Sequence, residues 1–128
     1  MAFTEEQRLS VWNKATTVDG FDPKMFRKDA CGAWIIWDKY GVQDNIYGWE
    51  IDHIVPKVLL EQKGFSQTMI DDVRNLRALQ HQNNESKGDD YPSYTAAVTS
   101  ENNKNIEQER NLVVNNRTRT ILGNIYKL

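Results

Sequence analysis
The 128-residue chain has one cysteine, three prolines and two histidines. A single cysteine, Cys31, excludes an internal disulfide and any zinc site built from several cysteines. A reducing, cytoplasmic setting is therefore the expectation. No run of eighteen apolar residues exists, so neither a membrane span nor a membrane partner is expected. The first residues, Met-Ala-Phe-Thr-Glu-Glu, lack a basic stretch followed by an apolar block, which argues against a secretory signal. An excess of basic charge is also missing. The formal net charge of -2 argues against a generic binder of polyanions. Internal repeats, low-complexity tracts and linkers are absent as well.

What is present points to one folded domain over residues 1–128. The 39% apolar fraction and four tryptophans are enough for a modest core. Charge is unevenly spread. Residues 104–128 carry five Lys/Arg against two Glu, and residues 31–53 carry four acids against one Lys. Acids in the middle of the chain could hold a cation, while the basic tail could meet phosphates. The plainer reading of any one of these charges is solvated surface.

Local signals predict a mixture of helices and strands. Thr4-Glu5-Glu6-Gln7 fits a capping box, and Leu9, Trp12 and Ala15 then share a helical face, with the helix ending near Thr16-Thr17. Phe21-Asp22-Pro23 predicts a turn, with one helical turn through Phe26. Trp12, Phe21 and Phe26 are expected in the core. Cys31 to Trp37 reads as a strand, and its pairing with Tyr47 to Ile54 is the expected sheet. Lys57 to Gln62 predicts a short helix ending at Gly64. Ser66 caps a second over Gln67 to Val73, with Met69, Ile70 and Val73 inward. Thr95 to Thr99 is expected as an edge strand, Ser100 to Asn105 as a polar loop, and Thr118 to Tyr126 as a terminal amphipathic helix.

The stretch from Gly48 to Asp90 holds both histidines. Trp49, Ile51 and His53 alternate with Glu50, Asp52 and Ile54, a strand pattern that Val55-Pro56 ends. Asn75-Leu-Arg-Ala-Leu is a second apolar segment, and Asn84-Glu-Ser-Lys-Gly-Asp follows, with Gly88 a plausible helix stop. The ordered set Asp52-His53-Ile54-Val55-Pro56, then Asn75-Leu76, then Asn84-x-x-Lys87-Gly88-Asp89 resembles the HNH endonucleases, a ββα-metal (His-Me finger) family. The resemblance covers about a third of the chain, with a motif core at residues 47–90. The nuclease domain of RNA-guided CRISPR enzymes looks similar, down to the nine-residue step from Asn75 to Asn84.

The resemblance implies an α+β fold. Its core would be a small ββα-metal unit, with an N-terminal helix and a C-terminal strand and helix added. It implies a metal-dependent endonuclease hydrolysing DNA, most naturally double-stranded, with a protein partner or oligomer available for targeting. His53 would be the general base, since imidazole titrates near neutrality. Asp52 and Asn84 would hold one divalent ion, Mg²⁺ or alternatively Mn²⁺ or another transition metal, because hard ions prefer oxygen. Asn75 would pin the loop that carries His53. Lys87, Arg77 and His81 would contact DNA. Many relatives carry two Cys-x-x-Cys pairs for a structural zinc. Here Lys28 stands three residues before Cys31, and Gln80 and Asn83 replace the second pair. No structural zinc is expected, and Trp34, Trp37 and Trp49 would cluster in its place. Strict strand alternation would send Asp52 and His53 to opposite faces. The chemistry then needs a local twist, or a base and an ion on either side of the scissile phosphate. Each residue also has a plain structural alternative: a satisfied core histidine for His53, an Asx-turn cap for Asn75, surface charge for Lys87 and Arg77. A catalytically lapsed module that binds nucleic acid or protein is the alternative for the whole chain.

Overall fold
A computed structural model describes residues 3–128. The capping box forms as its sequence predicts. Thr4 Oγ1 accepts the Gln7 N–H, and the Gln7 side chain accepts the Thr4 N–H. Helix α1 (Glu5–Trp12) buries Val11 and Trp12 and stops at Asn13, short of the expected Thr16-Thr17. Thr16 instead bridges Lys28, so the β-branched pair begins an extended segment. Leu9, expected inward, is half exposed.

Strand β1 (Phe26–Lys28) pairs antiparallel with β2 (Trp34–Ile36). This corrects the expected pairing of residues 31–37 with 47–54. The apolar run is broken where Gly32 takes φ +83°, a region side chains disfavour, and the buried Asp29 carboxylate collects the N–H groups of Cys31 and Ala33. Among the described residues, two hydrogen bonds link the run to the later segment, Ile36 N–H to Tyr47 C=O and the Trp49 indole N–H to Trp37 C=O. Trp37–Lys39 then forms a single 3₁₀ turn.

Strand β3 (Trp49–His53) pairs antiparallel with β4 (Leu76–Gln80), from Trp49↔Gln80 to His53↔Leu76 without a bulge. Helix α4 (His81–Lys87) follows β4 directly. Gln80 caps it by accepting the N–H groups of Gln82 and Asn83, and Gly88 ends it at φ +52°. The connection between β3 and β4 holds α2 (Lys57–Gln62) and α3 (Gln67–Ile70), which bury Leu60 and Ile70. Helix α3 stops at Ile70 rather than Val73. Asp72 caps a new 3₁₀ turn over Val73–Asn75, leaving Met69 and Val73 exposed rather than inward.

The largest departure from the sequence reading lies after α4. Strands β5 (Ser93–Glu101) and β6 (Lys104–Val113) form one long hairpin, turning at Asn102-Asn103 with Asn102 at φ +55°. Strand β6 was not expected, and its mostly exposed residues lack an apolar alternation. The hairpin is bulged between Ala96 and Val98, where the Asn83 side-chain Oδ1 accepts the N–H groups of both Ala97 and Val98. Helix α5 (Asn116–Tyr126), capped by Asn115, buries Leu122 and Tyr126.

The fold is therefore α+β. Two apolar clusters flank β3 and β4. Trp12, Ile35, Trp49 and Leu76 belong to one; Val55, Leu60, Leu79, Tyr94 and Leu122 belong to the other. The ring cluster is Trp12, Trp37 and Trp49, with centroids 5.2–5.8 Å apart. Trp34 sits apart against Phe21 at 4.6 Å, and Cys31 is a small buried core residue. Among the described residues no helix is long and apolar enough to cross a membrane.

Candidate functional site
Strand alternation divides the motif residues between two faces of β3. Trp49 and Ile51 pack toward α1, while Glu50 and Asp52 turn toward α4. Asp52 and His53 follow the same rule, so no local twist unites them. Asp52 is 4% exposed, with Oδ2 3.1 Å from Arg77 Nε and Oδ1 3.3 Å from Lys87 Nζ. His53 faces away. Its Nε2 lies 2.7 Å from Asp71 Oδ1, and its ring centroid is 5.8 Å from that of Phe3.

Asp71 was not anticipated. It lies in the connection between the strands, and no spacing rule links it to His53. Gln67 donates to its second oxygen at 2.8 Å. Burial pushes the Asp71 carboxyl up, but the hydrogen bonds from His53 and Gln67 outweigh it and hold it below the usual carboxylate range. A carboxylate on Nε2–H sets one tautomer and leaves Nδ1 as the basic nitrogen. Among the described residues Nδ1 makes no hydrogen bond.

Asn75 is fully buried and clasps the turn after His53. Its Oδ1 accepts the Val55 N–H at 2.8 Å, and its Nδ2 donates to the carbonyls of Val55 and Ile70, both at 3.2 Å. The Lys87 ammonium also touches this end of β3, donating to the His53 carbonyl at 3.2 Å.

Three residues expected to reach DNA point elsewhere. Lys87 is 1% exposed, and burial pulls its ammonium below the ordinary lysine range against the attraction of Asp52. A wholly buried ammonium held by a carboxylate and a carbonyl is not offered to an incoming phosphate. Arg77 stacks over Tyr94, 5.1 Å from the ring centroid, while its Nε holds Asp52. His81 is tied by Nε2 to the Asn45 carbonyl at 3.0 Å.

Asn84 and Asp52 share the α4 side of β3, as an ion site requires, but Asn84 does not contact Asp52. Its Nδ2 donates to Glu50 Oε1 at 2.9 Å, and Gln43 Nε2 donates to Glu50 Oε2 at 2.7 Å. Glu50 is the second missed residue, and period-two alternation with Asp52 was the signal for it. Two carboxylates and a carboxamide on one side are hard oxygen donors. The 2.9 Å spacing is close to the separation, about 3 Å, of neighbouring ligands on an octahedral ion with 2.1 Å bonds. These residues fit a hard divalent cation once the Asn84 amide turns its oxygen inward. Lys87 and Arg77 meanwhile balance the charge of Asp52. Among the described residues no group of three His, Cys, Asp or Glu stands close enough to hold a metal.

Asp29 braces the site from behind. Its Oδ1 accepts from Cys31 N and Ala33 N, and its Oδ2 from Gln80 N and Asn83 Nδ2. It thereby joins the loop after β1 to the start of α4. No family model, curated protein or solved structure matches this chain.

Proposed function
We propose that the chain is an HNH-type endonuclease, a cytoplasmic metal-dependent phosphodiester hydrolase acting on double-stranded DNA through a ββα-metal unit. One observation carries the reading. Asp52, His53, Asn75 and Asn84 all lie on β3, β4 and α4 or at their junctions, with the Asn75 amide clasping the turn after His53. In this reading Asp71 fixes the His53 ring, and Nδ1 takes the proton of the attacking water. With Asp52 and His53 on opposite faces, the scissile phosphate would lie at the C-terminal end of β3, the base on one side and the oxygen donors on the other. An ion held by Asp52, Asn84 and Glu50, with Mg²⁺ or Mn²⁺ as the natural choices, would stabilise charge on the phosphoryl and departing oxygens. Lys87 and Arg77 hold the Asp52 carboxylate on the α4 side until then. DNA contacts fall to residues other than these two, and targeting falls to a partner protein or an oligomer.

A second reading, a binding module that has lost catalysis, is favoured by a specific feature: both oxygens of Asp52 are already engaged by cations. Incubation with supercoiled plasmid and Mg²⁺ or Mn²⁺, with and without EDTA, separates the two. Metal-dependent nicking supports the hydrolase; DNA retention without nicking under any divalent ion supports the binder.

A further inference from the structure
A cleft of about 280 Å³ opens along the outer edge of β4, between the end of α1, strand β1 and the start of α5. Its walls carry four cationic side chains, Lys14, Lys28, Arg74 and Arg77, against one carboxylate, Asp29. Asp29 accepts four N–H donors, Arg74 is paired with Asp72 and Arg77 with Asp52, so the four cations exceed the three carboxylates around them by a single positive charge. Asn115 and Thr118 bring the N-terminal end of the eleven-residue α5 to the same opening, and such an end favours an anion. The rest of the wall, including Val11, Ala78 and Val114, is apolar.

Strand β4 supplies a second feature. The bonds Ile54 N–H to Asn75 C=O and His81 N–H to Gly48 C=O fix which pairs of the ladder exchange hydrogen bonds. By alternation the backbone groups of Leu76, Ala78 and Gln80 face away from β3. Lys14 Nζ satisfies the Leu76 carbonyl, and Asp29 satisfies the Gln80 N–H. Among the described residues, nothing pairs with the N–H and C=O of Ala78, although the residue is 4% exposed. Buried backbone groups normally find partners. A donor beside an acceptor, next to an apolar wall and a cationic mouth, suits a nucleobase edge with its phosphate.

We infer that this cleft binds a nucleoside 5′-phosphate, the base edge on the Ala78 backbone and the phosphate among Arg74, Lys14 and the start of α5. The choice of a nucleotide over other phosphorylated compounds rests on the hydrolase reading. The source is either a free nucleotide or the end of a nucleic-acid strand. Arg77 links the cleft to Asp52, so an anion drawing on Arg77 would loosen its hold there.

The test is a ¹H–¹⁵N titration without divalent ions, using deoxyadenosine 5′-monophosphate, deoxyadenosine, inorganic phosphate, and a short single strand with or without a 5′-phosphate. The Ala78 and residue 116–118 amides should shift with the monophosphate, at an affinity about tenfold above that for deoxyadenosine, the factor worth about 1.4 kcal/mol. Arg74→Glu, an exposed position, should weaken the monophosphate by a similar factor. A 5′-phosphorylated strand saturating at lower concentration identifies the strand end as source; the reverse identifies the free nucleotide. Still amides at about 10 mM monophosphate, a range that covers affinities weaker than millimolar, overturn the inference. So does equal binding with and without the phosphate. The titration needs no turnover, so a protein that nicks plasmid can fail it, and one that never nicks can pass it.

Discussion

Asp29 shows how one residue can hold several segments together. Four N–H donors meet its two oxygens at 2.8–3.1 Å. In Asp29→Asn one oxygen becomes an NH₂ that faces two donors. The expected loss is about 2–5 kcal/mol, read as a lowered urea midpoint at unchanged m-value. Asp71 makes the opposite kind of contribution. Its folded carboxyl is held below its unfolded value by His53 and Gln67, so the stabilisation is full above the unfolded pKa of about 3.9 and is lost as pH falls through the folded value. Urea midpoints of the wild type and Asp71→Asn should differ at pH 7 and converge in strong acid; a constant difference would contradict the pairing. At this scale the sequence was partly legible. Asn75 was readable from its place in a motif. Asp71 was not, because its contact with His53 depends on where α3 stops. Glu50 was readable from alternation alone.

The elements around the site depend on close approaches that periodicity does not encode. Gly48, just before β3, lies so near the 42–45 loop that a Cβ there would stand 1.7 Å from the Val42 carbonyl oxygen. Asn75 does comparable work at the other end of β3, joining it to α3 through three buried hydrogen bonds. Asn75→Ala should cost about 2–4 kcal/mol, because Val55 N–H loses its partner in the core. Native-state hydrogen exchange should show the loss as faster exchange at Val55. Helix α1 was legible from its capping box and α5 from its apolar spacing, and α2 as a short segment before Gly64; α4 has no apolar residue and was legible only through its Gly88 stop. The pairing of β3 was not, since two apolar segments competed for it. The Asp29 turn and Gly32 diverted residues 31–33, and β4 took the place beside β3. Strand β6 escaped because its burial comes from hairpin pairing rather than an apolar face.

At the scale of the whole molecule, the fold should stand without metal. The ring cluster of Trp12, Trp37 and Trp49 packs α1 against β3, and the Asp29 network ties the loop after β1 to β4 and α4, without any metal ligand among these contacts. EDTA should therefore leave the thermal midpoint unchanged while abolishing nicking, as followed by circular dichroism beside a plasmid assay. A large fall in midpoint on chelation would mean that a metal holds the fold.

If His53, set by Asp71, is the base of a phosphodiester hydrolase, its removal should slow cutting and spare DNA binding. The direct test compares wild type and His53→Ala for nicking of supercoiled plasmid with Mg²⁺ or Mn²⁺, beside a filter-binding titration of the same DNA. A general base acts on the water and adds little to ground-state binding. A rate loss of about 10²–10⁴-fold is expected, with DNA affinity nearly unchanged. Equal cutting by the two proteins would contradict it.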